Sequence, residues 1–222
     1  MFPWNEIDTV LLDMDGTLLD LHFDNHFWLQ IIPHELSQER DISVKEASEW
    51  VEQCYANVEG TLNWYCLDYW QQQMGLDIMA LHRKLVERIQ LRQDSMPFLD
   101  ALKRANKSRI LVTNAHPKNL ALKLEHTDLS LGLDHMISSH ETGYPKEHPL
   151  FWQHLFLQYK LDPSRCLFID DNEAILQAAR LAGVGYQLGI ANPDSQKPNK
   201  IFDDFPAIED YHHLLDELIK SS

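Results

Sequence analysis

The sequence predicts an α/β fold: a doubly wound parallel sheet of Rossmann-like type with an inserted α-helical domain. Three observations carry that prediction. From about residue 94 onward, short apolar runs alternate with helical runs, the pattern of βαβ units covered on both faces. One further apolar run, IDTVLL at 7–12, stands alone near the start. Between them, residues 24–93 show helical periodicity and no convincing strand. The helical stretch therefore reads as an insertion into one sheet domain. The expected boundaries are 1–20 and 94–222 for the sheet domain and 21–93 for the helical one.

Each element has a local justification. Within the insertion, Pro33 in WLQIIPHELSQ is expected to break or kink the first helix. Ser43 with Glu46 three residues later forms a capping-box signature. Ala47, Trp50, Val51 and Cys54 then recur at helical spacing until Gly60. A second helix is expected from Thr61 to Gly75, and a third places Leu81, Leu85 and Ile89 on one face. In the sheet domain, SMPFLDALKRA reads as a helix with Ser95 as its cap and Pro97 in its first turn. RILVTNA, HMISSH, RCLFIDD and GYQLGIA read as strands. PKNLALKLEH, PLFWQHLFLQYK and EAILQAARLAG read as the helices between them, and the tail PAIEDYHHLLDELIKSS ends in a helix.

Bulk properties narrow the function. The chain is 44% hydrophobic and 24% charged, as expected of a soluble globular protein. Its net charge of −15 excludes an extended nucleic-acid interface without a basic stripe, and the densest basic stretch, LKRANKSR at 102–109, reads as a solvated helix end. Small anionic substrates remain compatible, because a metal and one or two cations dominate a site locally. Cys54, Cys66 and Cys166 form no CxxC pair and no zinc-like cluster, which points to free thiols in a reducing cytoplasm. The start MFPWNEIDTV lacks the layout of a secretory signal, and no apolar run approaches the ~18 residues of a membrane span.

In a parallel sheet, functional groups gather at the carboxyl ends of the strands. Those ends carry Asp13 and Asp15 around Met14, then Thr113 and Asn114, and finally Asp170 and Asp171. The connection after the third strand carries Lys146, within GYPKEHP. Four carboxylates converging on one edge repel one another. A divalent cation removes the difficulty, and hard oxygen donors without imidazole or thiolate suit Mg2+. Lys146 and Thr113 then hold phosphate oxygens, with Asn114 counted beside them. One carboxylate can attack phosphorus, and a second can protonate the leaving alcohol and later activate water.

The stretches DMDGTLLD, LVTNA, the lysine of GYPKEHP, and FIDDN resemble, in order, the four motifs of the haloacid-dehalogenase-like superfamily of phosphohydrolases. The resemblance covers nearly the whole chain. It implies Asp13 as nucleophile and Asp15 as general acid/base. It implies Mg2+ held by Asp13, the Asp15 carbonyl and Asp170, with Asp171 as a nearer or water-mediated helper. Thr113 and Lys146 match the phosphate-binding pair, and residues 21–93 match the mobile α-helical cap. Many relatives read Lys-Pro-x-Pro where this chain has Lys146-Glu147-His148-Pro149. Within the superfamily, MDGTLLDLHFDNHFW and ETGYPKEHPLFW look most like bacterial 5′-nucleotidases acting on GMP and IMP.

The expected activity is therefore Mg2+-dependent hydrolysis of a purine 5′-mononucleotide through an aspartyl-phosphate. Alternatives are a phosphatase or phosphomutase for another small phosphorylated metabolite, a metal-independent carbon–halogen hydrolase, or a phosphate-ligand binder without turnover. Asp171 is also expected to cap the following helix. Asp20 and His22 stand where the chain passes into the helical block and are expected to hinge it or meet the substrate. His22, Asp24 and His26 read as that connection rather than as a metal cluster. Phe27, Trp28, Trp50, Trp64, Tyr65 and Trp70 suggest a stacking wall for a purine, with one or two facing the site and the rest in the cap core.

Overall fold

In the computed structural model, which describes residues 2–221, six parallel strands form one sheet in the order β3-β2-β1-β4-β5-β6. Met1 and Ser222, the outer limits of the expected sheet domain, lie outside the described residues. The strands are β1 (Thr9–Leu12), β2 (Ser108–Thr113), β3 (His135–Ser138), β4 (Cys166–Asp170), β5 (Tyr186–Ile190) and β6 (Ala207–Ile208). β1 sits at the centre, with Leu11 in register with Ile110 of β2 and Phe168 of β4. The order reverses at β1, and in such sheets the crevice beside the reversal receives the ligand. β6 is a two-residue strand in a segment read only as tail. Its pairing of Gly189 with Ala207 needs no apolar run, so no periodicity marks it.

Helices cover both sheet faces. They are α6 (Ser95–Arg104), α7 (Pro117–Glu125), α8 (Ser139–Thr142), α9 (Pro149–Tyr159), α10 (Glu173–Leu181) and α11 (His212–Ser221), numbered after the five α-helices of the helical block. Side chains alternate along the central strand: Val10 and Leu12 join a core with Phe98, Leu102 and Tyr211, while Leu11 joins Phe151, Trp152 and Phe168 on the opposite face. Ser95 does not cap α6. Asp94 precedes the helix without a side-chain cap bond, and Ser95 Oγ donates to Leu18 O at 2.7 Å. Arg109 is not a solvated helix end either; it is buried, and its guanidinium donates to Asp134 Oδ1 at 2.6 Å.

The helical block comprises α1 (His22–His26), a π turn (Phe27–Ile31), α2 (Ile32–Arg40), α3 (Val44–Ala56), α4 (Leu67–Met74) and α5 (Ile78–Arg83). It has its own apolar centre, including Phe27, Leu36, Val51, Trp70 and Ile78. Pro33 does not break the run, which continues from α1 through the π turn into α2; instead the spacing changes from π to α directly before it, where a residue without an N–H is accommodated. The capping box forms, with Ser43 Oγ accepting from Glu46 N and Glu46 Oε2 accepting from Ser43 N at 2.9 Å. The helix expected over 61–75 is split at Cys66, whose backbone is extended; a 3-10 turn precedes it and α4 follows, ending at left-handed Gly75. The third helix likewise stops at Arg83 and resumes only as a short 3-10 turn at Val86–Arg88.

Two chain segments connect block and sheet. Asp20 N donates to Gln90 O at 2.9 Å and Arg92 N to Leu18 O at 3.0 Å, so the outgoing and returning chains pair side by side. Among the described residues no helix is long and apolar enough to cross a membrane.

Candidate active site

β1 carries Asp13 to the sheet edge because its four residues are buried on both faces. Asp13 N continues the ladder, donating to Ile169 O at 3.0 Å. The chain then turns sharply, and Met14 O accepts from Leu18 N at 2.9 Å and Leu19 N at 2.8 Å. Gly16 makes this turn with φ +90°, and a Cβ there would lie 2.8 Å from Asp171 Cγ. Gly16→Ala is expected to cost about 1–3 kcal/mol of stability and to displace Asp171. Urea unfolding checks this; an unchanged midpoint would show that the turn carries no strain for a side chain.

The end of β2 places Thr113 and Asn114 beside the acids. Thr113 Oγ1 accepts from Ala115 N at 3.0 Å. Asn114 Oδ1 accepts from Lys146 N at 2.9 Å and its Nδ2 donates to Glu147 Oε2 at 3.1 Å. Tyr65 of the helical block donates its hydroxyl to Glu147 Oε1 at 2.7 Å. Asn114 thus aligns the lysine loop, and Glu147 ties that loop to the block.

Lys146 is buried between the acids. Its Nζ donates to Asp13 Oδ1 at 2.6 Å, Asp170 Oδ2 at 2.7 Å and Val112 O at 3.3 Å. Burial alone would push the ammonium toward neutrality, but Asp13 and Asp170 outweigh it and hold Lys146 protonated. Burial raises Asp13 well above the usual carboxylate range and Asp170 to about 6; Lys146 offsets part of both shifts, while neighbouring acids add to them. Oxygens of Asp13, Asp170 and Asp171 lie within 4.8 Å of one another. Three hard oxygen donors at that spacing, with their charge poorly tolerated, fit a single hard divalent cation.

Asp171 does not cap α10. Asn172 does, its Oδ1 accepting from Ala174 N at 2.9 Å. Asp171 Oδ2 instead accepts from Lys200 Nζ at 2.6 Å. Lys200 lies in the loop after β5 and falls in no recognisable pattern, so sequence reasoning had no signal for it. The carboxylate of Asp15 faces a different cation, Lys123 Nζ at 2.7 Å. Asp20 Oδ1 accepts from His22 N at 2.9 Å and Ser195 N at 3.2 Å, and His22 Nδ1 lies 3.4 Å from Asp194 Oδ1. Asp20 and His22 therefore brace the passage into the block. Asp24, from the same stretch, lines the cavity.

That cavity, about 360 Å3, lies between sheet edge and block. Its sheet side holds Asp13, Asp15, Thr113, Asn114, Lys146, Asp170 and Asp171 together. Its block side is aromatic: Trp28, Tyr55, Trp64, Tyr65 and Trp70. This exceeds the expected one or two. Tyr55 was not among the aromatics singled out, while Phe27 packs inside the block and Trp50 carries the Arg40 guanidinium at 3.9 Å. Helical spacing marks the inward stripe of a helix but not that the block leaves one end of its aromatic core open.

The sequence profile of the haloacid dehalogenase-like hydrolases matches residues 7–183. The chain belongs to this family. Among haloacid dehalogenase-like hydrolases it is 50% identical over 216 residues to the GMP/IMP nucleotidase YrfG of Escherichia coli, covering 97% of each chain. A protein of the same name from Shigella flexneri matches to the same extent. A haloacid dehalogenase-like phosphatase from Thermococcus onnurineus superposes with a TM-score of 0.77 at 22% identity, covering 96% of this chain and 98% of that one. At that identity the likeness establishes the fold. The chain is thus a hydrolase with the family's Rossmann-like core.

Proposed function

We propose that the protein is a cytoplasmic, Mg2+-dependent 5′-nucleotidase that hydrolyses GMP and IMP. The carrying observation is the juxtaposition in one cavity of a buried acid–lysine cluster with an aromatic wall of purine-stacking chemistry. The name of the relative sharing half its residues over nearly the whole chain supports the same substrate class. The free thiols of Cys54, Cys66 and Cys166 support a reducing compartment. In this reading residues 21–93 act as a cap over a core formed by 1–20 and 94–222.

Asp13, Asp170 and Asp171, with the Asp15 carbonyl, would hold Mg2+, which when bound polarises phosphoryl oxygens and offsets the repulsion among the acids. Thr113 and Lys146 bind the phosphate oxygens. Asp13 attacks phosphorus, forming an acyl-phosphate bond as the bond to the nucleoside 5′ oxygen breaks. Asp15 gives its proton to that oxygen. Water then attacks the phosphorus, passing a proton to Asp15, and releases phosphate and the free Asp13 carboxylate. The cap excludes other water and chooses the leaving group.

A panel of nucleoside monophosphates, sugar phosphates and phosphoglycolate, read by free phosphate, tests this. GMP and IMP are expected to lead, with turnover lost in EDTA and restored by Mg2+. Preference for a sugar phosphate would overturn the substrate class, and EDTA-insensitive release would overturn the metal. Activity on 2-haloacids instead would favour the carbon–halogen alternative, against which Asp15 and the Asp170–Asp171 pair argue.

A further inference from the structure

A buried lysine outside the four motif stretches grips the proposed proton carrier from behind. Lys123 lies on α7 and is only 1% exposed. Its Nζ donates to Asp15 Oδ1 at 2.7 Å and to Asp24 Oδ1 and Oδ2 at 2.9 and 2.7 Å. An ammonium has three N–H donors, so all are committed. Asp15 belongs to the turn after β1, whereas Asp24 belongs to α1, the first helix of the block. On the other flank of α1, Asn25 Nδ2 donates to Asp194 Oδ2 at 2.7 Å. The helix that leads into the block is therefore fastened to the core on two sides, and one fastening runs through Asp15.

Burying a lysine head is costly unless carboxylates meet it. A structural strap would need only Asp24. Here the same nitrogen also holds Asp15 Oδ1, at the wall of the cavity that Asp15 and Asp24 both line. We infer that Lys123 is a positioning residue: it aligns Asp15 for proton transfer to the leaving group, and Asp24 makes that alignment depend on the placement of α1. This rests on the proposed phosphatase reading. Movement of the block that withdraws Asp24 removes two of the three acceptors that orient Lys123, and Asp15 loses its fixed direction.

Leaving-group chemistry separates this role from a structural one. A nucleoside 5′ alkoxide needs a proton as it departs, whereas p-nitrophenolate leaves well without one. kcat/KM reports the steps through that departure. Lys123→Met is expected to lower the GMP to p-nitrophenyl phosphate ratio of kcat/KM by on the order of tenfold or more. Lys123→Arg, which keeps the cation, moves the ratio back toward the parent. Asp24→Asn approaches the link from the block side and carries the test should Lys123→Met not fold; it is expected to lower the same ratio, with the double variant less than additive. Equal losses with both substrates would reduce Lys123 to a structural strap and overturn the inference, as would a parental ratio in Asp24→Asn. A parent enzyme that hydrolyses p-nitrophenyl phosphate but no purine nucleotide overturns the substrate reading alone, because any alkyl phosphate it accepts then supplies the poor leaving group.

Discussion

Asp13→Asn is expected to abolish phosphate release, with a loss on the order of 10⁶-fold in kcat, the scale of deleting a nucleophile, while the fold persists. The expectation follows from what the substitution keeps and removes. Asn has the same shape, and its Oδ1 can still accept from Lys146 Nζ, which lies 2.6 Å from Asp13 Oδ1. It loses a charge whose burial cost outweighs the attraction of Lys146, with the nearby Asp170, Asp171 and Asp15 adding to that cost. Lys146 keeps Asp170 as a charged partner, so the variant should unfold at a urea midpoint equal to or above the parent. An amide oxygen cannot form the acyl-phosphate, so intact-mass analysis of enzyme quenched during turnover should find a phosphoryl adduct in the parent and none in the variant. A folded Asn variant with parental turnover would show that another group attacks phosphorus.

Much of this arrangement is legible in the sequence for one physical reason. A strand buried on both faces reads as a short apolar run, and β1, β2 and β4 each end in residues that are expensive to bury. The acids at 13, 15, 170 and 171 stand out against IDTVLL and RCLFI because their burial demands a partner. The residues that escaped notice make contacts between segments far apart in the chain. Lys123 sits at ordinary helical spacing in PKNLALKLEH, where any lysine reads as solvated, and only its contacts with Asp15, Phe23 and Asp24, far away in the chain, show it buried. Lys200 reaches Asp171 from a loop with no periodic signal. Asn172, not Asp171, stands at the N-cap position of α10, and the Asp171 carboxylate accepts from Lys200 instead. In the block, propensity marked helices correctly but not their interruptions. Trp70 Nε1 donates to Trp64 O at 2.8 Å, a tertiary bond across the break at Cys66 that no local pattern announces.

Lys146→Met should separate the two tasks of that lysine. Met matches the stem in size and leaves the bond from Trp152 Nε1 to Lys146 O, at 2.7 Å, in the backbone where it was. It removes the cation shared by Asp13 and Asp170. Deleting one partner of a buried ion pair costs about 3–5 kcal/mol, so in EDTA the variant is expected to lose roughly that much stability by urea unfolding. Mg2+ should then recover more stability in the variant than in the parent, because it no longer meets a resident ammonium at the same oxygens; at 100 times its Kd a ligand contributes about 2.7 kcal/mol. Activity should move the other way. With Mg2+ saturating, the variant still lacks the point charge proposed to hold the phosphate, and kcat/KM for GMP should remain at least about a hundredfold down, equivalent to roughly 2.7 kcal/mol of lost transition-state binding. Stability losses of equal size with and without Mg2+ would mean that the lysine acts through its packed stem, and that the cation site does not share its carboxylates. Stability regained without activity is the pattern that follows if one set of acids serves the lysine at rest and the metal at work, with Lys146 then turning to the substrate.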